Sequence, residues 1–488
     1  MKKLNKLFKY FVYVMPVALF FSYEPVMRLG VSESMNFELS IPLIWLVLFD
    51  VLVVIMMARK KLLLRDFKKK WAWLLFPMWL SLSVLWSMNF IRGILAAGII
   101  WLLYLAIDGI WTFRKLFDKE FKRVFLKWFF GASLVVCAVC ILQCVLDLVG
   151  VAREYSLICQ GCTYAMFGFP HPDGFSIEPQ FMGNLLLAPT LVAVWLIIGN
   201  HNSTPRTRVQ NPCRHRGFGA NSRLARLRNV LGVLLLIALL TTLFLTFSRG
   251  AIYAFVVGLL VMCGWMVVEA GKERKNVLKR VGLVWGVVIL SFGLALNVQG
   301  LMAELSPTDD TYKSGVAKVL NHLSLGVVKV DDNSPVDVVE NSVENDGEKV
   351  VENSEAEKAA FDGYVEESTD TRLRLAGAGL KIWSSDFVTA VFGVGLGGAG
   401  EALYVNNLSP APKEIVQNQY VSVLLETGLV GVSLLIVTMI LAVRLIMKQK
   451  TRVLVLCLMI AYAVSLCFFS GLPNALHIYL LPAVLMFL

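Results

Sequence analysis

The chain has 488 residues, 57% hydrophobic and 17% charged, against roughly 45 to 50% apolar content in soluble domains. Its mean hydropathy is +0.67, which excludes a reading as about three water-soluble domains. A net charge of +11 would point a soluble chain toward nucleic acid, but here the charge is banded between apolar blocks of about 20 residues. The expected environment is a membrane, with membrane lipid and not nucleic acid as its surroundings.

Apolar runs bounded by charge predict spans near 10–23, 39–58, 71–88, 92–107, 128–149, 181–199, 229–247, 251–269, 281–299, 420–443, 453–470 and 476–488. The predicted fold is therefore all-α, a polytopic bundle of about twelve spans with one long external loop. No small-residue cleavage site follows the first span, where the chain runs on through Tyr23, Glu24 and Pro25, so it reads as a retained helix. With Lys2, Lys3, Lys6 and Lys9 on the cytoplasmic side, the loops 59–70, 108–127, 200–228, 270–280 and 444–452 fall there too. Together these segments hold about 33 of the 46 Lys and Arg, as the positive-inside rule requires. Both termini are then cytoplasmic. The loop at 200–228 is the clearest case, with Arg206, Arg208, Arg214, Arg216, Arg223, Arg226 and Arg228 and no acid.

The boundaries give a bundle over 1–299, an extracytoplasmic segment over 300–419 and closing spans over 420–488. Within the external segment, about 331–367 is acidic and carries Val-Val-Glu-Asn-Ser twice, at Val338 and Val350. Such a stretch buries too little apolar area to offset its ordering entropy, so a flexible, dispensable insertion is expected. On either side Val316, Val319, Leu320 and Leu323, and then Leu373, Ala376, Leu380 and Trp383, recur at helical spacing. Both runs read as amphipathic helices on the bundle's outer surface, the second capped by Ser368, Thr369 or Asp370.

Cys137, Cys140, Cys144, Cys263, Cys457 and Cys467 fall inside predicted spans, and Cys213 in a cytoplasmic loop. Cys159 and Cys162, in Cys-Gln-Gly-Cys, face outward as a disulfide, a thiol-exchange pair or an incidental pair; a single such motif is weak evidence for zinc. No cofactor or metal is called for.

The unusual polar residues gather at outward-facing ends of spans: Glu178, Pro179, Gln180, Gly183 and Asn184; Ser248, Arg249 and Gly250; Arg372 and Arg374, followed by Phe392 to Gly397; and Gln417, Asn418, Tyr420, Glu426 and Gly428. Arg249 sits in a hairpin with almost no loop, where a guanidinium can hold phosphate oxygens bidentately or simply snorkel to water. The run Gly395-Leu-Gly-Gly-Ala-Gly400 matches G-x-G-x-x-G, but that fingerprint needs a preceding strand that this chain does not offer. Its glycines serve a turn and the close approach of a ligand or helix.

Thr246-Phe-Ser-Arg-Gly-Ala251, Ser368-Thr-Asp-Thr-Arg-Leu373 leading to Phe392-Gly-Val-Gly395, and Asn418-Gln-Tyr420 followed by Glu426-Thr-Gly-Leu-Val-Gly431 resemble, in order, the O-antigen ligase and polymerase family. The resemblance covers about 229–443 well and the first half by topology. It implies a C-type glycosyltransferase-like bundle in the cytoplasmic (inner) membrane, with its active site on the outer face. It further implies a glycan donor on undecaprenyl or another polyprenyl diphosphate, and a glycan or lipid acceptor. Arg249 and Arg372 then correspond to the arginines that grip the carrier diphosphate, with Arg374 as helper.

Where the family's ligases commonly place a histidine, this chain has Gln417, which together with Asn418 can orient an acceptor hydroxyl but cannot take its proton. That tilts the expectation from ligase to polymerase and makes Glu178 the candidate base. The alternative for Glu178 is a helix N-terminal carboxylate beside Pro179; His171 is a weaker candidate. A transporter or lipid-carrier flippase is the alternative function, for which ionisable groups near the midplane and related halves would be the marks; a non-catalytic scaffold is a third.

Overall fold

The structure, a computed structural model, describes residues 1–22, 27–32, 35–61, 67–148, 172–176, 178–199, 218–305, 323, 371–409, 412, 415–471 and 475–488. The acidic stretch 331–367, Val316, Val319 and Leu320 of the helix expected to include Leu323, the caps Ser368 to Asp370, His171, and the Cys159 and Cys162 pair lie outside them.

The chain is an all-α polytopic bundle. Its helices are α1 Lys2–Phe20, α2 Ile41–Arg59, α3 Phe67–Ser83, α4 Phe90–Thr112, α5 Lys119–Leu148, α6 Pro179–Gly199, α7 Phe218–Leu245, α8 Arg249–Glu269 and α9 Arg274–Leu305. They continue with α10 over 371–383, then α11 Phe387–Phe392, α12 Ala399–Val405, α13 Gln419–Ile446, α14 Arg452–Ser465 and α15 His477–Leu485. One antiparallel hairpin, β1 Met27–Ser32 with β2 Met35–Leu39, joins α1 to α2. Every predicted span falls on one of these helices. Among the described residues seven helices are long and apolar enough to cross a bilayer, and the apolar parts of α3, α7 and α14 are shorter. By that measure α1 is too charged at its start, and α15, with 9 residues, too short.

The core forms around α6, whose apolar stretch is 83% buried within the protein and which packs against α7, α8, α9 and α14. α1 packs on α2 and α5, and on α5 the buried Phe121, Phe125 and Phe129 follow one another at four-residue spacing, centroids 6.0 and 5.8 Å apart, with Phe117, just before the helix, stacked 4.3 Å from Phe121. Such i, i+4 pairs lie on one helix face, and ring pairs contribute about 0.5 to 1.5 kcal/mol each beyond area burial. Outward the helices present apolar side chains, such as Leu48 and Val51 on α2, Val135 on α5 and Ile289 on α9, as a surface solvated by lipid does. α13 stands to one side. It packs on α3 and α11, and its Leu434 and Leu435 join a separate small core with Phe76, Leu80 and Val84.

Two expectations need correction. α10 forms, but it buries Leu375, Ala378 and Ile382 against Leu403, Val416 and Leu425, leaving Leu373 and Leu380 exposed. Both faces of this helix are apolar, so periodicity alone selected the wrong one. The span predicted over 453–470 ends at Ser465, and Cys467 is exposed in the turn that follows.

Candidate functional site

Four element ends converge at one mouth of the bundle: the starts of α6, α8 and α13, and the turn after α14. The α7–α8 connection is tight because Thr246 folds back on Leu243 and Phe247 adopts a left-handed φ of 44°. Ser248 then caps α8 through the Ala251 amide. Gly183 of α6 lies so close to this corner that a Cβ there would stand 2.7 Å from Ala251 and 3.1 Å from Ser248. The first residue of α8 is Arg249, 7% exposed. Its neighbour Gly250 leaves room for Phe468 and for the Gln180 amide, which would stand 2.8 and 3.3 Å from a Cβ.

Gln180, in the first turn of α6, is the hub. Its Nε2 donates to the Phe468 carbonyl at 3.0 Å, and its Oε1 accepts from an Arg372 terminal nitrogen at 3.3 Å. Arg372 also donates through Nε to Gln417 Oε1 at 2.7 Å. One guanidinium on α10 is thus held by the amides of two other elements, and the α8 start that carries Arg249 abuts one of those amides. Glu178 lies half-buried beside them. Burial pushes its carboxyl above the usual carboxylate range, and the Arg372 charge pulls against that rise.

The turn after α14 supplies the floor. Its consecutive carbonyls at Leu466, Cys467 and Phe468 accept from the Gln419 amide at 3.0 Å, Asn418 Nδ2 at 3.1 Å and Gln180. The Gly471 amide returns a bond of 2.7 Å to Gln419 Oε1. These carbonyls stand at a helix C-terminus, where they lack intrahelical donors. One turn deeper Ser465 Oγ donates to Asn184 Oδ1, tying α14 to α6.

Of the residues singled out from sequence, Glu178, Gln180, Arg249–Gly250, Arg372, Gln417 and Asn418 come together. Arg374 does not: two residues on, about 200° around the helix, it is exposed. Asn418 is spent on structure, its Oδ1 accepting from the Tyr420 and Val421 amides as the α13 N-cap and its amide nitrogen bound to Cys467. Gln417, by contrast, uses only its oxygen in the contacts described. Sequence reasoning missed the 466–471 turn, whose contribution is backbone carbonyls carried by apolar residues and therefore without a motif.

The glycine run docks on protein. Gly393, Gly395 and Gly397 all have positive φ. A Cβ at Gly393 would stand 2.4 Å from the Glu426 backbone, and one at Gly395 2.3 Å from that of Ser87, so only glycine fits.

Residues 234–436 match a family model described as O-antigen ligase. No curated protein matches the sequence.

Proposed function

From a chain that residues 234–436 assign to the O-antigen ligase family, we propose a membrane glycosyltransferase that draws glycan from a polyprenyl-diphosphate donor outside the cytoplasmic membrane, as a polymerase in preference to a ligase. The family makes it a multi-pass membrane protein handling lipid-linked glycan. The finer reading rests on one observation, the Arg372 guanidinium braced between Gln180 and Gln417 beside the start of α8.

In this reading an acceptor hydroxyl forms a bond to the anomeric carbon of the donor sugar. The bond from that carbon to the carrier phosphate breaks, and its electron pair leaves with the diphosphate. Arg249 and Arg372 bind the diphosphate and stabilise the charge it gains; fixed cations in a poorly hydrated site do this without reorganising during the reaction. Arg372 is oriented by the neutral amides of Gln180 and Gln417. The amide nitrogen of Gln417 orients the acceptor. Glu178 takes its proton, a role that a raised pKa serves because it makes the carboxylate a stronger base. Asn418 acts by holding Gln417 in place.

The test is glycan assembly in cells carrying Arg249→Ala or Arg372→Ala, with membrane levels measured in parallel. Loss of polymer at normal protein level is expected for both. Polymer of normal length in both variants would overturn the assignment. A polymerase lengthens a carrier-linked product in vitro, whereas a ligase moves it onto a lipid anchor.

A further inference from the structure

We infer that Glu426, with Arg92, is a positioning residue for the transfer step, acting at a distance on the Arg372–Gln417 contact; the inference rests on the function proposed above. α13 is broken at Gly428, whose φ of 63° and ψ of −171° are not helical. A break at membrane depth frees carbonyls that an unbroken helix would pair, and these need partners in protein. The structure supplies them from two other elements. The Leu425 and Glu426 carbonyls accept from the Val394 and Gly395 amides at 2.9 and 3.0 Å, and the Thr427 carbonyl accepts from Trp79 of α3 at 3.1 Å. The Glu426 carboxylate reaches further along the same loop, accepting from the Gly397 and Ala399 amides while facing Arg92 of α4. Ser83 and Ser87 hold the loop from below through the Leu396 amide and carbonyl.

The consequence is a closed frame. One side runs from Arg372 through α10 and α11 to Gly397; the other runs from Gln417 through the upper part of α13 to Glu426. The two sides meet at Arg372–Gln417 in one corner and at Glu426–Gly397 in the other. Between them Gly379 packs on Val416 and Val421, which would stand 3.6 and 3.1 Å from a Cβ there. Replacing the Glu426 carboxylate by an amide leaves the backbone bonds at 394 and 395 but removes one of the two oxygens that serve the amides at 397 and 399, together with the charge that faces Arg92 of α4. The frame can then shear, and that displaces Gln417 relative to Arg372.

The test uses full-length protein in membranes. Glu426→Gln should lower the rate at saturating donor roughly tenfold, about the value of one charge-assisted bond, leave donor KM unchanged and leave thermal unfolding in detergent near wild type. Gly379→Cys with Val421→Cys should form a disulfide readily in the otherwise native protein and slowly in the Glu426→Gln background. Once formed, it should restore the rate there, and reduction should abolish the rescue. Arg92→Gln should show the same pattern, which covers the case in which the Glu426 variant inserts poorly. Wild-type rates in both variants, or a lost rate that the cross-link leaves unrestored, would overturn the inference. The cross-linking yield needs no turnover, so equal yields with and without Glu426 refute the frame even if the proposed reaction fails, while unequal yields with no transfer by the native protein refute only the reaction.

Discussion

Gln180→Met isolates the hub of the site. Methionine fills the glutamine's space without its polar atoms, so the variant removes the 3.0 Å bond to the Phe468 carbonyl and the 3.3 Å bond from Arg372. Gln180 is 8% exposed. An unsatisfied buried carbonyl costs about 1 to 3 kcal/mol, and a hydrogen bond to a charged group contributes about 1.5 to 3. The Arg372 contact is long and counts toward the lower value, so the variant should lose about 2.5 to 4.5 kcal/mol of stability. Because one of the braces described on Arg372 is gone, the transfer rate should fall roughly 10- to 100-fold. Gln180→Glu separates the two halves. It keeps an acceptor for Arg372 and loses the donor to Phe468, so its rate should recover more than its stability. Thermal unfolding in detergent and single-turnover transfer in membranes give the two numbers. A Gln180→Met protein with native stability and rate would refute the bracing argument.

Gly250→Ala places a Cβ 2.8 Å from the Phe468 Cβ and should destabilise by about 1 to 3 kcal/mol through overpacking; Phe468→Gly in the same protein, which removes that atom, should relieve part of it in unfolding measurements. Asp50 on α2 is 2% exposed and both its carboxylate oxygens lack a partner, so Asp50→Leu should raise the unfolding temperature without changing glycan assembly, and lost assembly would give Asp50 the intramembrane role that a transporter needs. Glu178 is held above its ordinary value of 4.5; if it accepts the proton, transfer falls as pH drops through that raised value, and Glu178→Gln should be slow and lack that acid limb. The folded protein binds this proton more tightly than the unfolded chain, so the group's contribution to stability is present at low pH and lost as pH rises through the folded value. Wild type should therefore lose stability relative to Glu178→Gln over that interval.

The span pattern was legible because lipid imposes one rule on every helix, and apolar blocks between basic loops record it. The corner at Thr246 to Ala251 was visible for a related reason: two spans with no loop between them require small and capping residues. What stayed hidden depends on backbone. Leu466, Cys467 and Phe468 read as the end of a span because their side chains are apolar, whereas the site uses their carbonyls. The break at Gly428 was hidden likewise, since a glycine in an apolar run looks the same whether the helix continues or turns. Gly393 to Gly398 could be seen to allow close approach, but that the approach is to Glu426 and Ser87 needed the tertiary structure. On α10, two apolar faces made the choice between Leu373 and Leu375 undecidable from periodicity.

The family match ends at residue 436, yet the groups that hold Arg372 beside the start of α8 include Gln180 before it and the 466–471 turn after it. Gly471 tests whether that turn is part of the site. Its amide donates to Gln419 Oε1 at 2.7 Å, and Gln419, 6% exposed, follows directly on Asn418 and Gln417. Gly471→Pro removes the donor. Gly471→Ala keeps it and, among the described residues, meets the side chains of Leu466, Ala475 and Phe469, at 3.0, 3.3 and 3.3 Å, which can yield by a few tenths of an ångström. Alanine should therefore be close to native in transfer rate, while proline should slow transfer about tenfold by the loss of one buried bond. A proline variant as active as the alanine variant would mean that the turn merely closes the bundle, and that Gln417 is fixed by Arg372 and the Asn418 cap alone.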